Sequence, residues 1–81
     1  MLVDMVADAL ERHGGFRPFG GISWTRGRVH VRRGTGVFCV SSPDCYVTCY
    51  DTGDADADFL LVMGAVDMLL RHAELDTQSH N

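Results

Sequence analysis

Apolar residues in the first stretch recur at helical spacing. Val3, Val6, Ala7 and Leu10 form a stripe that Leu2 and Ala9 widen, which predicts a helix over residues 2–13. Asp4, Asp8, Glu11 and Arg12 fall on the opposite side, with Asp8 and Arg12 one turn apart as an i,i+4 pair. Gly14-Gly15 ends the helix, because glycine takes the left-handed conformation that helix ends require. Pro18 keeps the following link, residues 16–20, out of any helix.

From residue 21 the period changes from 3.6 to two, which predicts strands at about 21–25, 28–33, 36–41 and 45–50. Turn chemistry separates them: Arg26-Gly27, then Gly34-Thr35, then Ser42-Pro43-Asp44 with proline at the favoured second position. These tips pair Trp24 with Val29 and Ile22 with Val31, then Val31 with Phe38 and Val29 with Val40. The third pairs Val40 with Val47 and Phe38 with Cys49. All three hairpins place Ile22, Trp24, Val29, Val31, Phe38, Val40, Val47 and Cys49 on one face. A slip of one residue in any hairpin would break that agreement.

A second helical pattern covers residues 54–73. Asp54 is the expected N-cap, and Asp56 and Asp58 sit in the first turn, where the helix dipole favours anions. Phe59, Val62, Met63, Val66, Leu69 and Leu70 form a wide apolar face. Leu60, Leu61 and Met68 extend it around much of the circumference, so this helix should be the more buried of the two. Residues 74–81 read as a flexible polar tail. The pattern as a whole predicts a single α+β domain: an N-terminal helix, a four-stranded antiparallel meander and a C-terminal helix, both helices on one face of the sheet.

The other face carries the unusual residues. The same registers set Arg28 beside Ser41 and Tyr46, His30 beside Cys39 and Thr48, and Arg32 beside Val37 and Tyr50. Arg and Tyr bury large flat areas while keeping hydrogen bonds, which makes them frequent interface anchors. Strand propensity alone also accounts for tyrosines, and arginines can simply cross-pair with them. Arg28, His30, Arg32, Tyr46 and Tyr50 are therefore candidate partner-binding residues, with Asp54, Asp56 and Asp58 as a secondary acidic contact.

Charge sharpens this picture. The net charge of the 81 residues is −4, yet there is no Lys, and six of the seven Arg lie between positions 12 and 33. No Asp or Glu occurs from Arg12 through Pro43, so the sheet is basic and the helices are acidic. The order helix–strands–helix resembles that of double-stranded-RNA-binding modules. Those open their second helix on basic residues, where this chain has Asp54, Asp56 and Asp58, and the family is not carried over.

Other chemistry finds little support. Cys39, Cys45 and Cys49 lack the CxxC spacing of a zinc knuckle, and Cys39 has the opposite strand parity to the other two. The acids from Asp51 to Asp58 miss the glycine and glutamate positions of a calcium loop. His30 beside Cys39 is the one Cys–His pair the registers allow, on a flat sheet without an oxyanion hole. No enzyme, metal or cofactor is expected. Asp4 and Asp8 interrupt the first apolar stretch, so no signal peptide is expected there, and the run Phe59 to Val66 is too short to span a membrane. A cytoplasmic location follows as the default.

The expected function is a small non-enzymatic interaction module that binds a larger macromolecule, most readily a protein, and inhibits or regulates it by occupying its surface. Phage-encoded inhibitors of host systems, anti-CRISPR proteins among them, are analogous in size and architecture only. The alternatives are a nucleic-acid-binding regulator that uses the basic and aromatic sheet face, and a homodimeric adaptor; the chain would be a monomer or homodimer.

Overall fold

The computed structural model describes residues 1–79, and side chains through residue 73. The chain forms α1 (Leu2–Asp8), which continues into a π-helical turn (Ala9–His13). Five strands follow: β1 (Arg17–Phe19), β2 (Ser23–Arg26), β3 (Val29–Gly34), β4 (Val37–Ser42) and β5 (Cys45–Tyr50). The last element is α2 (Ala55–Ser79). The strands pair antiparallel in sequence order, so the sheet is a five-stranded meander. The α+β architecture, with two helices and an antiparallel sheet around a shared core, is as expected.

The extra strand is β1, which lies in the segment read as a link. Pro18 pairs with Trp24 there, and proline is tolerated because β1 is a sheet edge. The π turn positions it. The Gly14 N–H donates to Ala9 O at 2.8 Å and the Phe16 N–H to Leu10 O at 2.9 Å, one and two residues wider than an α-helical bond. Gly15, at φ 71°, supplies the left-handed residue that closes the turn. Leu10 and Phe16 then enter the core together.

Two hairpins differ from the expected registers by two residues. Val31 pairs with Trp24 and with Val40, and Arg33 with Phe38. The tips are Gly27-Arg28 and Thr35-Gly36. The cause is which glycine adopts positive φ and where it sits in its loop. Gly27 (φ 59°) is the first loop residue rather than the second, and Gly36 (φ 68°), not Gly34, takes the left-handed position at the next tip. The third hairpin has the expected register, with Val40 opposite Val47 and Phe38 opposite Cys49. A two-residue slip preserves strand parity, so the core face survives. Trp24, Val29, Val31, Phe38 and Val40 are buried, and Val47 and Cys49 are half-buried against them. Ile22 is the exception: β2 begins after it, and its side chain is exposed.

α2 lies over β3, β4 and β5, and α1 packs along α2, with the π turn reaching β1. Val6 and Leu10 from α1 and Val62, Ala65, Val66 and Leu69 from α2 fill the space above the sheet. The apolar circumference of α2 is not matched by burial all round. There are only two layers, so nothing covers its far side, and Leu60, Leu61 and Met68 are exposed. The helix also runs to Ser79, past the expected end at residue 73. Of the expected flexible tail 74–81, residues 80 and 81 and all its side chains lie outside the described residues. Among the described residues, no helix is long and apolar enough to cross a membrane.

Candidate functional site: the open sheet face

The corrected registers rebuild the open face. One row across the sheet is Arg17, Thr25, His30, Ser41 and Tyr46; the next is Phe19, Ser23, Arg32, Cys39 and Thr48. A third joins Gly34, Val37 and Tyr50. Of the five expected contact residues, Arg32, His30, Tyr46 and Tyr50 lie in these rows. Arg28 does not: it occupies the β2–β3 turn, and His30 takes its place beside Ser41 and Tyr46. It remains close, because Arg28, His30, Ser41 and Pro43 line one shallow hollow of about 360 Å³. A second hollow of about 280 Å³, lined by Phe19, Ser23, Thr25 and His30, lies toward β1. His30 thus separates two depressions.

Arg17 and Phe19 were missed because the segment carrying them was read as a link. Once β1 is in the sheet, the face gains a further arginine and an aromatic that is 73% exposed. Tyr46 and Tyr50 are 65% and 67% exposed. The three aromatics stand far apart. Tyr46 and Tyr50 are four residues along one strand, about 13 Å, and Phe19 lies four strands away, about 19 Å. They frame a polar centre rather than forming a stack.

The electrostatics are one-sided. None of the five strands contains Asp or Glu. Arg12 pairs with Asp8 and Arg71 with Asp67, and Arg26 donates to Gly14 O. The side chains of Arg17, Arg28 and Arg32 have no hydrogen-bond or ion-pair partner among the described residues. The Tyr46 hydroxyl donates to Cys39 Sγ at 3.1 Å, a diagonal contact from the edge strand β5 to its neighbour β4. That bond raises the Tyr46 pKa above its ordinary value, with the neighbouring Thr48 acting in the opposite sense.

The one Cys–His neighbour that the expected registers allowed is not formed, since Cys39 is opposite Arg32 and His30 opposite Ser41. Cys45 and Cys49 face the helices, where burial pushes the Cys49 thiol up. The three thiols therefore do not converge, and among the described residues no group of three metal-ligating side chains comes together. A shallow cleft of about 520 Å³ at the end of the sheet is lined by Met1, Ile22, Arg33, Val37 and Asp51 among others, without a nucleophile and base in contact.

The secondary acidic contact loses a member. Asp58 is buried. Its carboxylate accepts from the Thr52 hydroxyl at 2.7 Å and the Thr52 N–H at 2.9 Å, and these bonds, the hydroxyl first, hold its pKa below the ordinary carboxylate value. Asp54 caps α2 as expected, accepting from the Ala57 N–H at 3.2 Å, and it stays exposed together with Asp56. Comparison of the chain with protein-family models, with curated proteins and with solved structures finds no match.

Proposed function

We propose that this protein is a non-enzymatic binding module whose open sheet face docks on an acidic surface of a larger protein and blocks it by occupation. The observation that supports this reading is the pairing state of the arginines. The Arg17 and Arg32 side chains stand unpartnered on an acid-free face with Arg28 in the turn at its margin, while Arg12, Arg26 and Arg71 are engaged within the chain and Arg33, also unpartnered, has the opposite strand parity. Such a face has cation donors for carboxylates and three peripheral aromatic anchors. The opposite charge on the partner would steer association and suppress wrong partners.

The test is affinity capture from the source cell with the wild-type chain and with an Arg17→Glu/Arg32→Glu variant. Both residues are exposed, so the variant should melt within about 0.5 kcal/mol of wild type. Loss of the captured partner supports the reading; equal recovery removes the sheet face from consideration.

Single-stranded nucleic acid is the second reading, favoured by Arg beside exposed aromatics on a sheet. Successive bases stack on neighbouring rings, and the wide separation of Phe19, Tyr46 and Tyr50 offers no such column. Fluorescence anisotropy with single- and double-stranded probes at low salt separates the two: binding that weakens steeply with salt supports nucleic acid, and flat curves exclude it.

A further inference from the structure

One hollow of the open face gathers hydrogen-bond donors. Arg28, His30 and Ser41 line it, and Gly27, Ser42 and Pro43 complete a lining around about 360 Å³. Two of the donors are set by the sheet: His30 is directly opposite Ser41, which places their β-carbons about 5 Å apart. Arg28 comes from a separate wall. It is the second residue of the two-residue tip between Arg26 and Val29, where Gly27 at φ 59° turns the chain.

The three side chains end in a guanidinium fork, an imidazole N–H and a hydroxyl, each able to donate. None of the three has a hydrogen-bond or ion-pair partner among the described residues. No acid lines the hollow; Asp44, the nearest in sequence, follows Pro43 and is not part of the lining. Free donors from a turn and two strands, one of them a permanent cation, call for an anion.

We propose that this hollow takes the phosphomonoester group of a phosphorylated serine or threonine on the protein partner. Shape and charge select phosphate over carboxylate. A carboxylate presents two oxygens in one plane, which Arg28 alone satisfies as a bidentate pair. A phosphomonoester presents three acceptor oxygens and about −1.5 to −2 charge at neutral pH, one oxygen for each donor side chain. A phosphodiester offers two such oxygens and a single charge, so a nucleic-acid backbone fits the hollow less well. The hollow is larger than a phosphate group, which leaves room for the short arm of serine or threonine, and too shallow for a tyrosine ring. The protein source of the phosphate rests on the open-face reading; the affinity of the hollow for a phosphomonoester does not.

Titration of the isotope-labelled full chain with phosphoserine blocked at both ends, followed by amide NMR shifts at constant ionic strength, tests it. Saturable shifts are expected at Gly27 to His30 and at Ser41 and Ser42, with a dissociation constant on the order of 1–10 mM for one exposed site. Arg28→Gln should weaken binding by about tenfold or more and Ser41→Ala by about threefold. Arg33→Gln, at a position of opposite strand parity, should leave it unchanged. Blocked aspartate and dimethyl phosphate should each bind about fivefold or more weakly. Shifts that do not saturate, that spread over all the exposed arginines, or that survive Arg28→Gln overturn the inference. Equal binding of aspartate overturns the choice of phosphate, and tighter binding of inorganic phosphate than of phosphoserine reassigns the hollow to the free ion. The capture experiment with Arg17→Glu/Arg32→Glu leaves the three donors in place, so failure of the open-face reading and failure of this one are separable.

Discussion

Ser42 offers a sharp test of how the sheet meets the helices. It ends β4 on the core-facing side, opposite Cys45, one residue before the Pro43-Asp44 tip. Serine at the first position of a turn often bonds the backbone two residues on. Here the hydroxyl oxygen is buried and has no hydrogen-bond partner among the described residues. A buried hydroxyl without a partner costs about 1–3 kcal/mol of desolvation. Ser42→Ala removes the oxygen and leaves the β-carbon in place, so little cavity cost offsets the gain. A net stabilisation of about 1 kcal/mol is expected, which for a domain of this size raises Tm by about 4–8 °C. Urea and thermal unfolding followed by the fluorescence of Trp24, a buried side chain, will read the change. An unchanged or lowered midpoint would show that the hydroxyl has a partner in solution and would refute the reasoning.

Trp24 Nε1 donates to Glu11 Oε2 at 2.9 Å, tying the π turn to β2; Glu11→Ala should destabilise by about 1–2 kcal/mol and shift the Trp24 emission. Asp58 has a folded-state pKa below its ordinary value, so its contribution to stability is present above the unfolded carboxylate pKa and disappears as pH falls through the folded one. Asp58→Asn should therefore flatten the acid limb of a Tm-against-pH curve, and an unaltered limb would count against the Thr52 bonds as its cause. Tyr46 ionises above the ordinary tyrosine value, so in an ultraviolet titration the absorbance lost on Tyr46→Phe should lie above the ordinary tyrosine range, and a loss at or below that range would count against the Cys39 bond as its cause. Gly64→Ala meets no atom within 4 Å and should stabilise the chain by about 1 kcal/mol in urea titrations.

Much of the fold was legible because alternation is a parity signal. Val29, Val31, Val40 and Phe38 must share a face whatever the exact pairing, and three hairpins agreed on that face. Parity repeats every two residues, however, so it does not distinguish Gly27-Arg28 from Arg26-Gly27 as a tip. Only the φ of individual glycines does, and a sequence does not print φ. β1 was hidden for a different reason: Pro18 signals a break, yet an edge strand needs only half its hydrogen bonds. Losing β1 meant losing Arg17 and Phe19 from the site. Asp58 looked like a surface acid because first-turn carboxylates usually are; its burial depends on Thr52, which the path of the Asp51–Asp54 loop folds back onto it.

The central claim is that the open sheet face is where this protein meets its partner. Site-specific photocrosslinking in the source cell tests it directly, with a benzophenone side chain replacing Tyr46 on the face and, separately, Asp4 on the exposed side of α1. The account predicts a discrete protein adduct from position 46 that Arg17→Glu/Arg32→Glu abolishes, and none from position 4. An adduct from position 4 alone, or one from position 46 that survives the charge reversal, would contradict it.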